Sequence, residues 1–432
     1  MANLEFKCPC CGGTLNFDNK TQNIVCPYCD SEFNASDLKD YNDDIAQTGS
    51  EDTSWDESMV EAYTNEDTKG MKIYSCNSCG GEIICEETTS STSCPYCGNN
   101  LVVSKELYGD LKPNCIIPFK KDKDNATESL RKFIKRRPLL PHSFSSTNTI
   151  QEIKSLYVPF WIFDADVSGK VRYEGIKVRR YVQGDYDVKE ENHYSVVRGG
   201  DIGFEHVPVD GSKKMQDELM ESIEPYDFKE AVDFNVAYLA GYAADRYDVS
   251  KDETFGRATT RFKEGTEAAF RRDISGYDSI QVKESTLQFS NTEAKYALYP
   301  VWLLHTLWKE KHFYFAVNGQ TGKIAGNLPI SPIKFLLFFL FFWVLFGGAA
   351  FGIIFALKND DIAMPLLIGV LFGLFAALSI LLAMRRKMKN VKFQYGAYNY
   401  EKSNSLHINY KRDIFMYRKV YRTKRSSSTT KR

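Results

Sequence analysis

The sequence predicts a multidomain fold: two small four-cysteine ribbons, an α+β domain with two related halves, and a two-helix hairpin long enough to cross a membrane. Three observations carry it. Eight of the eleven cysteines repeat one spacing twice, two uncharged stretches of 23 residues lie toward the C-terminus, and strand-like and helix-like patterns alternate between about residues 107 and 330.

The cysteine blocks are Cys8-x2-Cys11-x14-Cys26-x2-Cys29 and Cys76-x2-Cys79-x14-Cys94-x2-Cys97. Two residues between paired cysteines let one tight turn aim both sulfurs at a single ion, and the 14-residue span allows a hairpin to return the second pair. Pro27 and Pro95 preset φ for their turns, and Gly12, Gly80 and Gly98, after second cysteines, permit a left-handed residue there, as Asp30 can. Disulfides are the alternative, but they belong to secreted chains, and the N-terminal Met-Ala-Asn-Leu-Glu has no basic or apolar leader region. Zinc, two structural ions, is the default cofactor; iron on a rubredoxin-type site is the rival. Each set fills all four tetrahedral positions, which leaves none open for catalytic water. Both sites are local in sequence, so loss of Cys94 is expected to unfold the second ribbon alone. Cys10, Cys85 and Cys115 fall outside the pattern and read as buried or incidental.

Phe335–Leu357 and Ile362–Met384 carry no charge and are long enough to span about 30 Å of hydrocarbon at 1.5 Å per residue. Only Lys358-Asn-Asp-Asp361 separates them, so they predict an antiparallel hairpin. Lys334 precedes it, and Arg385, Arg386, Lys387, Lys389 and Lys392 follow, which places both termini in the cytoplasm of a bacterial cell as an integral membrane protein. A reducing compartment suits the thiolates too. Gly348-x3-Gly352 and Gly369-x3-Gly373 offer small residues for close helix approach.

The expected units are a first ribbon at 1–34, an acidic linker at 35–72, a second ribbon at 73–104, an α+β cytoplasmic domain at 105–332, the transmembrane hairpin at 333–384 and a basic segment at 385–432. Residues 30–72 carry 13 Asp and Glu against 3 Lys, with a short helix possible near Trp55–Ala62. Residues 385–432 carry 15 Lys and Arg against 2 acids, net +13, and the whole chain is −1, so the remainder is −14. Within the α+β domain, strands are expected at Ile116–Phe119, Leu156–Phe163, Lys170–Val182, Glu191–Val197 and Ala297–Val317. Helices are expected at Asn125–Arg137, stopped by Pro138, at Lys251–Asp273, opened by a Ser250-x-x-Glu253 capping box, and from about Lys214 to Pro225. Pro159-Phe-Trp-Ile-Phe163 and Pro300-Val-Trp-Leu-Leu304 form a weak repeat, each opening a hairpin; Trp161 and Trp302 read as core.

Catalytic signatures are absent: no phosphate loop, no G-x-G-x-x-G, no G-x-S-x-G and no H-E-x-x-H. The six histidines are scattered, and Asp164-x-Asp166 and Asp185-x-Asp187 read as solvated turns. The sequence therefore predicts no enzyme. Nucleic-acid binding is disfavoured at the ribbons, because residues 1–29 are net neutral and residues 76–104 hold three Glu and no Lys or Arg. The basic segment suits an anionic lipid surface, at about 1 kcal/mol per cation.

Cys-x-x-Cys-Gly-Gly followed by Cys-Pro-Tyr-Cys, Asp110-Leu-Lys-Pro113 with Ile117-Pro-Phe119, Tyr157-Val-Pro-Phe-Trp-Ile-Phe-Asp164, Val207-Pro-Val-Asp210, Glu221-Ser-Ile-Glu-Pro225 and Asn318-Gly-Gln-Thr-Gly322 together resemble Firmicutes membrane-anchored tandem zinc-ribbon proteins. Such proteins carry TFIIB-type zinc-ribbon or replication-restart primosomal helicase labels; no motor motif supports the second here. The resemblance implies protein partners in envelope-stress or flotillin-like (SPFH) assemblies, or phage-shock-protein-A-like ones. The expected function is a membrane-anchored cytoplasmic scaffold, with a membrane-tethered nucleic-acid-binding protein and a rubredoxin-like iron redox carrier as alternatives.

Overall fold

The computed structural model describes residues 8–9, 13–18, 23–29, 31–34, 38, 62–64, 71–86, 93–106, 110–135, 137–144, 153–308, 311–357, 362–394 and 396–425. The architecture is multidomain α/β. β1 (Asn16–Asp18), β2 (Asn23–Val25) and β3 (Glu32–Phe33) form a separate three-stranded antiparallel sheet. All later strands share one twelve-stranded sheet. β4 (Met71–Cys76), β5 (Glu82–Glu86) and β6 (Leu101–Glu106) begin it. They are followed by β7 (Cys115–Ile116) and α1 (Lys123–Ile134). The expected helix near residues 55–62 lies outside the described residues except Ala62, which bridges to Leu111.

Two long hairpins dominate. β8 (Lys154–Gln183) turns into β9 (Tyr186–Asp210), and β12 (Ser279–Trp308) turns into β13 (Lys311–Asn318), which continues to β14 (Ile324–Gly326). Between them come α2 (Asp217–Ile223), β10 (Val232–Asp233), β11 (Ala243–Asp245) and α3 (Lys251–Arg271). The Ser250–Glu253 capping box is formed, and Asp122 caps α1 by accepting from Asn125 N. β8 and β12 pair antiparallel from Lys154↔Leu303 to Ile176↔Ser279.

Side chains along β8 alternate between two packed faces. Tyr157, Trp161 and Phe163 join Phe204, Phe262 and Phe270 beneath α3, whereas Leu156, Val158, Phe160 and Ile162 join Leu219, Met220 and Ile223 of α2. A strand covered on both faces reads as a continuous apolar run, which explains Tyr157–Phe163. Trp161 and Trp302 are both buried, as expected.

The two hairpins meet the helices through matching contacts. Trp161 Nε1 donates to Val249 O just before the α3 cap, and Trp302 Nε1 donates to Lys121 O just before the α1 cap. Gly211 N donates to Pro159 O, and Gly319 N donates to Pro300 O, each at 2.8 Å. Gly211 O accepts from Asp248 N and Val249 N; Gly319 O accepts from Lys120 N and Lys121 N. Tyr247 stands edge-on to Trp161, and Phe119 edge-on to Trp302.

α4 (Pro332–Leu357) and α5 (Ala363–Arg386) are each long and apolar enough to cross a membrane. Pro365, Gly369, Gly373, Ala377 and Leu381 form the buried stripe of α5. The close approach on α4 is made by Gly347, one residue from the expected motif: a Cβ on Gly373 would lie 2.7 Å from Gly347 Cα, whereas Gly348 and Gly352 face open space. The connecting residues 358–361 lie outside the described set. Finally, β15 (His407–Lys424) pairs with β9 from His407↔Asp201 to Lys424↔Tyr186, so the middle of the basic segment is a strand of the sheet.

Candidate metal centres

Each cysteine pair is carried on the same backbone turn, made four times. The first cysteine N–H donates to the carbonyl five residues on: Cys8 to Gly13 at 2.8 Å, Cys26 to Ser31 at 2.9 Å, Cys76 to Gly81 at 2.9 Å and Cys94 to Asn99 at 2.7 Å. Gly80 at φ 69° and Gly98 at φ 78° occupy the left-handed positions that their place after Cys79 and Cys97 requires.

The turns converge. The sulfurs of Cys76, Cys79, Cys94 and Cys97 all lie within 4.8 Å of one another, as do those of Cys8, Cys26 and Cys29. Cys10 and Cys11 lie outside the described residues. Cys76 to Cys97 is 3.5 Å, Cys79 to Cys94 is 3.6 Å and Cys8 to Cys29 is 3.6 Å. A disulfide needs about 2.05 Å, and the edge of a tetrahedron with metal–sulfur bonds near 2.3 Å is about 3.8 Å. The donor sets therefore fit a metal ion and not cross-links.

Burial opposes ionisation of Cys76, but the backbone N–H groups of Cys79 and Ser78 outweigh it and bring the thiol down to about 7. Burial raises Cys79 and Cys94. A divalent ion with four thiolates carries net charge −2, which nearby cations offset. Lys214 Nζ donates to Cys79 O at 2.6 Å, and Lys154 Nζ donates to Cys94 O at 3.0 Å and to Ser93 Oγ at 2.8 Å. Neither lysine is signalled by spacing, since both arrive from residues 60 or more positions away.

Cys85 is buried in β5 and Cys115 sits in β7; burial pushes both thiols up to about 11, which suits packing. Asp164 and Asp166 lie within β8 beside a register shift at Phe163/Ala165, where the sequence suggested a solvated turn. Asp164 accepts from His206 N at 2.5 Å.

The second centre is tied to the larger domain. β5 pairs with β11 through Ile84↔Ala244 and Ile83↔Asp245. Tyr96, inside Cys94-Pro-Tyr-Cys97, is buried near Asp245, whose carboxylate accepts from Ser212 Oγ at 2.5 Å. The first centre rests on β15 through Cys8, Cys26, Phe33 and Leu38 against Ile414 and Met416.

No family model matches the chain, and no solved structure matches it. It is 34% identical over 361 residues to a Bacillus subtilis (strain 168) protein, "Uncharacterized protein YdjG", covering 84% of this chain and 98% of the relative. At that identity over nearly the whole relative, the chain belongs to the YdjG family.

Proposed function

We propose that the protein is a non-enzymatic scaffold, anchored in the bacterial cell membrane with both termini cytoplasmic, whose two zinc ribbons are structural and whose job is to hold protein partners at the membrane. The observation that carries this reading is the second centre: four thiolates converge with no position left for substrate, and the site is continuous with the domain sheet through β5 and β11. A metal so placed serves folding. The matched Trp161 and Trp302 contacts support an α+β domain of two related halves. From the sequence resemblance, flotillin-like (SPFH) or phage-shock-protein-A-like membrane assemblies are the partner class.

Elemental analysis of the full chain tests the metal: two equivalents of zinc are expected, and a red, iron-loaded protein would favour the redox carrier instead. Reporter fusions before Pro332 and after Lys424 test topology; an external signal at either point rejects the cytoplasmic scaffold. Crosslinking in intact membranes followed by purification tests for a discrete protein partner.

Nucleic-acid binding draws on one feature, the end of the β8–β9–β15 ribbon, where Tyr181, Tyr186 and Tyr421 are exposed among cations. Several of those cations are already engaged: Arg418 with Glu190, Arg425 with Asp187 and Lys189 with Glu191. Among the described residues that leaves Arg179, Arg180, Lys419, Arg422 and Lys424 outside any ion pair, a modest charge for a phosphate backbone. Oligonucleotide affinity in the micromolar range or better at physiological salt would restore this reading.

A further inference from the structure

Where α5 ends, the chain does not run free. Met388 is buried, its carbonyl accepts from Leu328 N at 2.9 Å, and Asn390 Oδ1 accepts from Gly326 N while its Nδ2 donates to Ile324 O. Lys392 N donates to Ser222 Oγ at 2.8 Å, and Gln394 N donates to Glu221 Oε2 at 2.8 Å. This pinned turn encloses an open groove of about 740 Å³. Four cations line it, Arg385, Arg386, Lys389 and Lys392, together with Leu382 and Val391. All four are exposed, and none forms an ion pair among the described residues. The partial negative charge of the α5 C-terminus, about half an elementary charge, is small beside four cations.

The apolar side of the groove begins at Leu382, inside the uncharged stretch of α5, and its basic side begins at the next turn. An anionic phospholipid, which joins a charged phosphate headgroup to acyl chains, matches both sides. The strand part of the basic segment is placed elsewhere. The bases of α4 and α5 pack on Trp302, Leu304, Phe313 and Phe315, and Trp302 pairs with Ser155 at one end of β8. Lys424 pairs with Tyr186, which pairs with Gln183 at the other end, roughly 90 Å away along the strand at about 3.3 Å per residue.

We infer that the groove formed by Arg385, Arg386, Lys389 and Lys392 is a binding site for the headgroup of an anionic phospholipid, and that β15 is not. The inference rests on the membrane-anchored reading. Its chemistry, a phosphate held by clustered cations, would also suit free phosphate; the entry of Leu382 into the lining favours lipid.

The test uses the full chain in a neutral detergent, titrated with short-chain phosphatidylglycerol, short-chain phosphatidylcholine or inorganic phosphate, with thermal unfolding and native mass spectrometry as readouts. Phosphatidylglycerol is expected to be retained and to raise the midpoint, with the other two inert at equal concentration. R386Q/K389Q/K392Q should weaken phosphatidylglycerol binding about 100-fold, from about fivefold per cation. R418Q/R422Q/K424Q on β15 should leave it unchanged. Equal binding of phosphatidylcholine, competition by inorganic phosphate, or loss of binding in the β15 variant alone overturns the assignment. Alkaline carbonate extraction of native membranes reports separately on anchoring, since release of the protein there rejects the anchor whatever the titration gives.

Discussion

The two four-cysteine segments share one cysteine spacing and one backbone turn, yet they sit differently in the protein. Tyr28 of Cys26-Pro-Tyr-Cys29 is 72% exposed, and Tyr96 of Cys94-Pro-Tyr-Cys97 is 4% exposed. Between the cysteine pairs, Phe17 of the first ribbon is 54% exposed, whereas Ile83 of the second is fully buried and Ile84 nearly so. The ligands set the metal site; the residues between them decide whether it is an appendage or part of the core.

Removing one ligand from each ribbon separates the two cases most sharply. Cys94→Ser takes away a metal whose binding is worth up to about 10 kcal/mol or more in folding, in a ribbon continuous with β11. The main unfolding transition is therefore expected to fall by more than about 5 kcal/mol, or the protein to fail to accumulate. That differs from the local effect the spacing alone suggests. Cys26→Ser should leave the main transition within about 1 kcal/mol and abolish protection only in β1–β3. Calorimetry with hydrogen exchange reads both; equal effects would remove the distinction.

The tyrosines give a finer version of the same comparison. Tyr96→Ala empties a buried aromatic site and is expected to cost about 3–5 kcal/mol. Tyr28→Ala at the matching position should fall within about 0.5 kcal/mol. Denaturant midpoints with zinc in excess provide the measurement.

This asymmetry marks how far the sequence could be read. Seven of the eight expected ligand positions are described, each in a cluster, and they were legible because metal geometry is encoded in short spacing. The apolar helices were legible for the same reason, since their lengths need no partner. The long strands were not. Gly169 and Gly199-Gly200 look like breaks, yet each sits inside a continuous strand. A Cβ on Gly169 would lie 2.1 Å from Thr286 O of β12, and one on Gly200 would lie 2.0 Å from His407 O of β15. These glycines mark where another strand approaches closely, and that strand is more than 100 residues away. The passage of 407–424 into the sheet was hidden likewise, because its cations dominate its composition while its pairing lies with β9.

Asp245 sharpens the link between the second ribbon and the domain through pH. Burial pushes its carboxyl up to about 7, against the lowering effect of the Ser212 and Tyr96 hydroxyls. A folded-state value above the ordinary one favours folding below about pH 4, and that contribution is lost as pH rises through about 7. Asp245→Asn stays neutral throughout while still accepting from Ser212. Its stability should therefore fall less between pH 5.5 and 8, by up to about 2 kcal/mol relative to the parent. A parallel pair of stability curves in zinc-saturated buffer would refute the link.

The smallest effect is expected where the first ribbon rests on β15. Ile414 and Met416 are both buried there, against Cys8, Cys26, Phe33 and Leu38, and the contact contains no strand pairing, because β1–β3 form their own sheet. An interface of a few apolar side chains holds two folded bodies together without being needed by either. Ile414→Asp places an unpaired carboxylate in that contact, which is costly to bury, so separation of the ribbon is the lower-energy outcome. The main transition is expected to move by no more than about 1 kcal/mol, because Ile414 contributes nothing beneath α3, and metal content should stay at the parental value. Hydrogen exchange should accelerate in residues 23–34 and along 412–417, with residues 71–106 unchanged. Loss of metal from the first ribbon in this variant would mean that docking, and not the ion alone, holds its four-thiolate turn together.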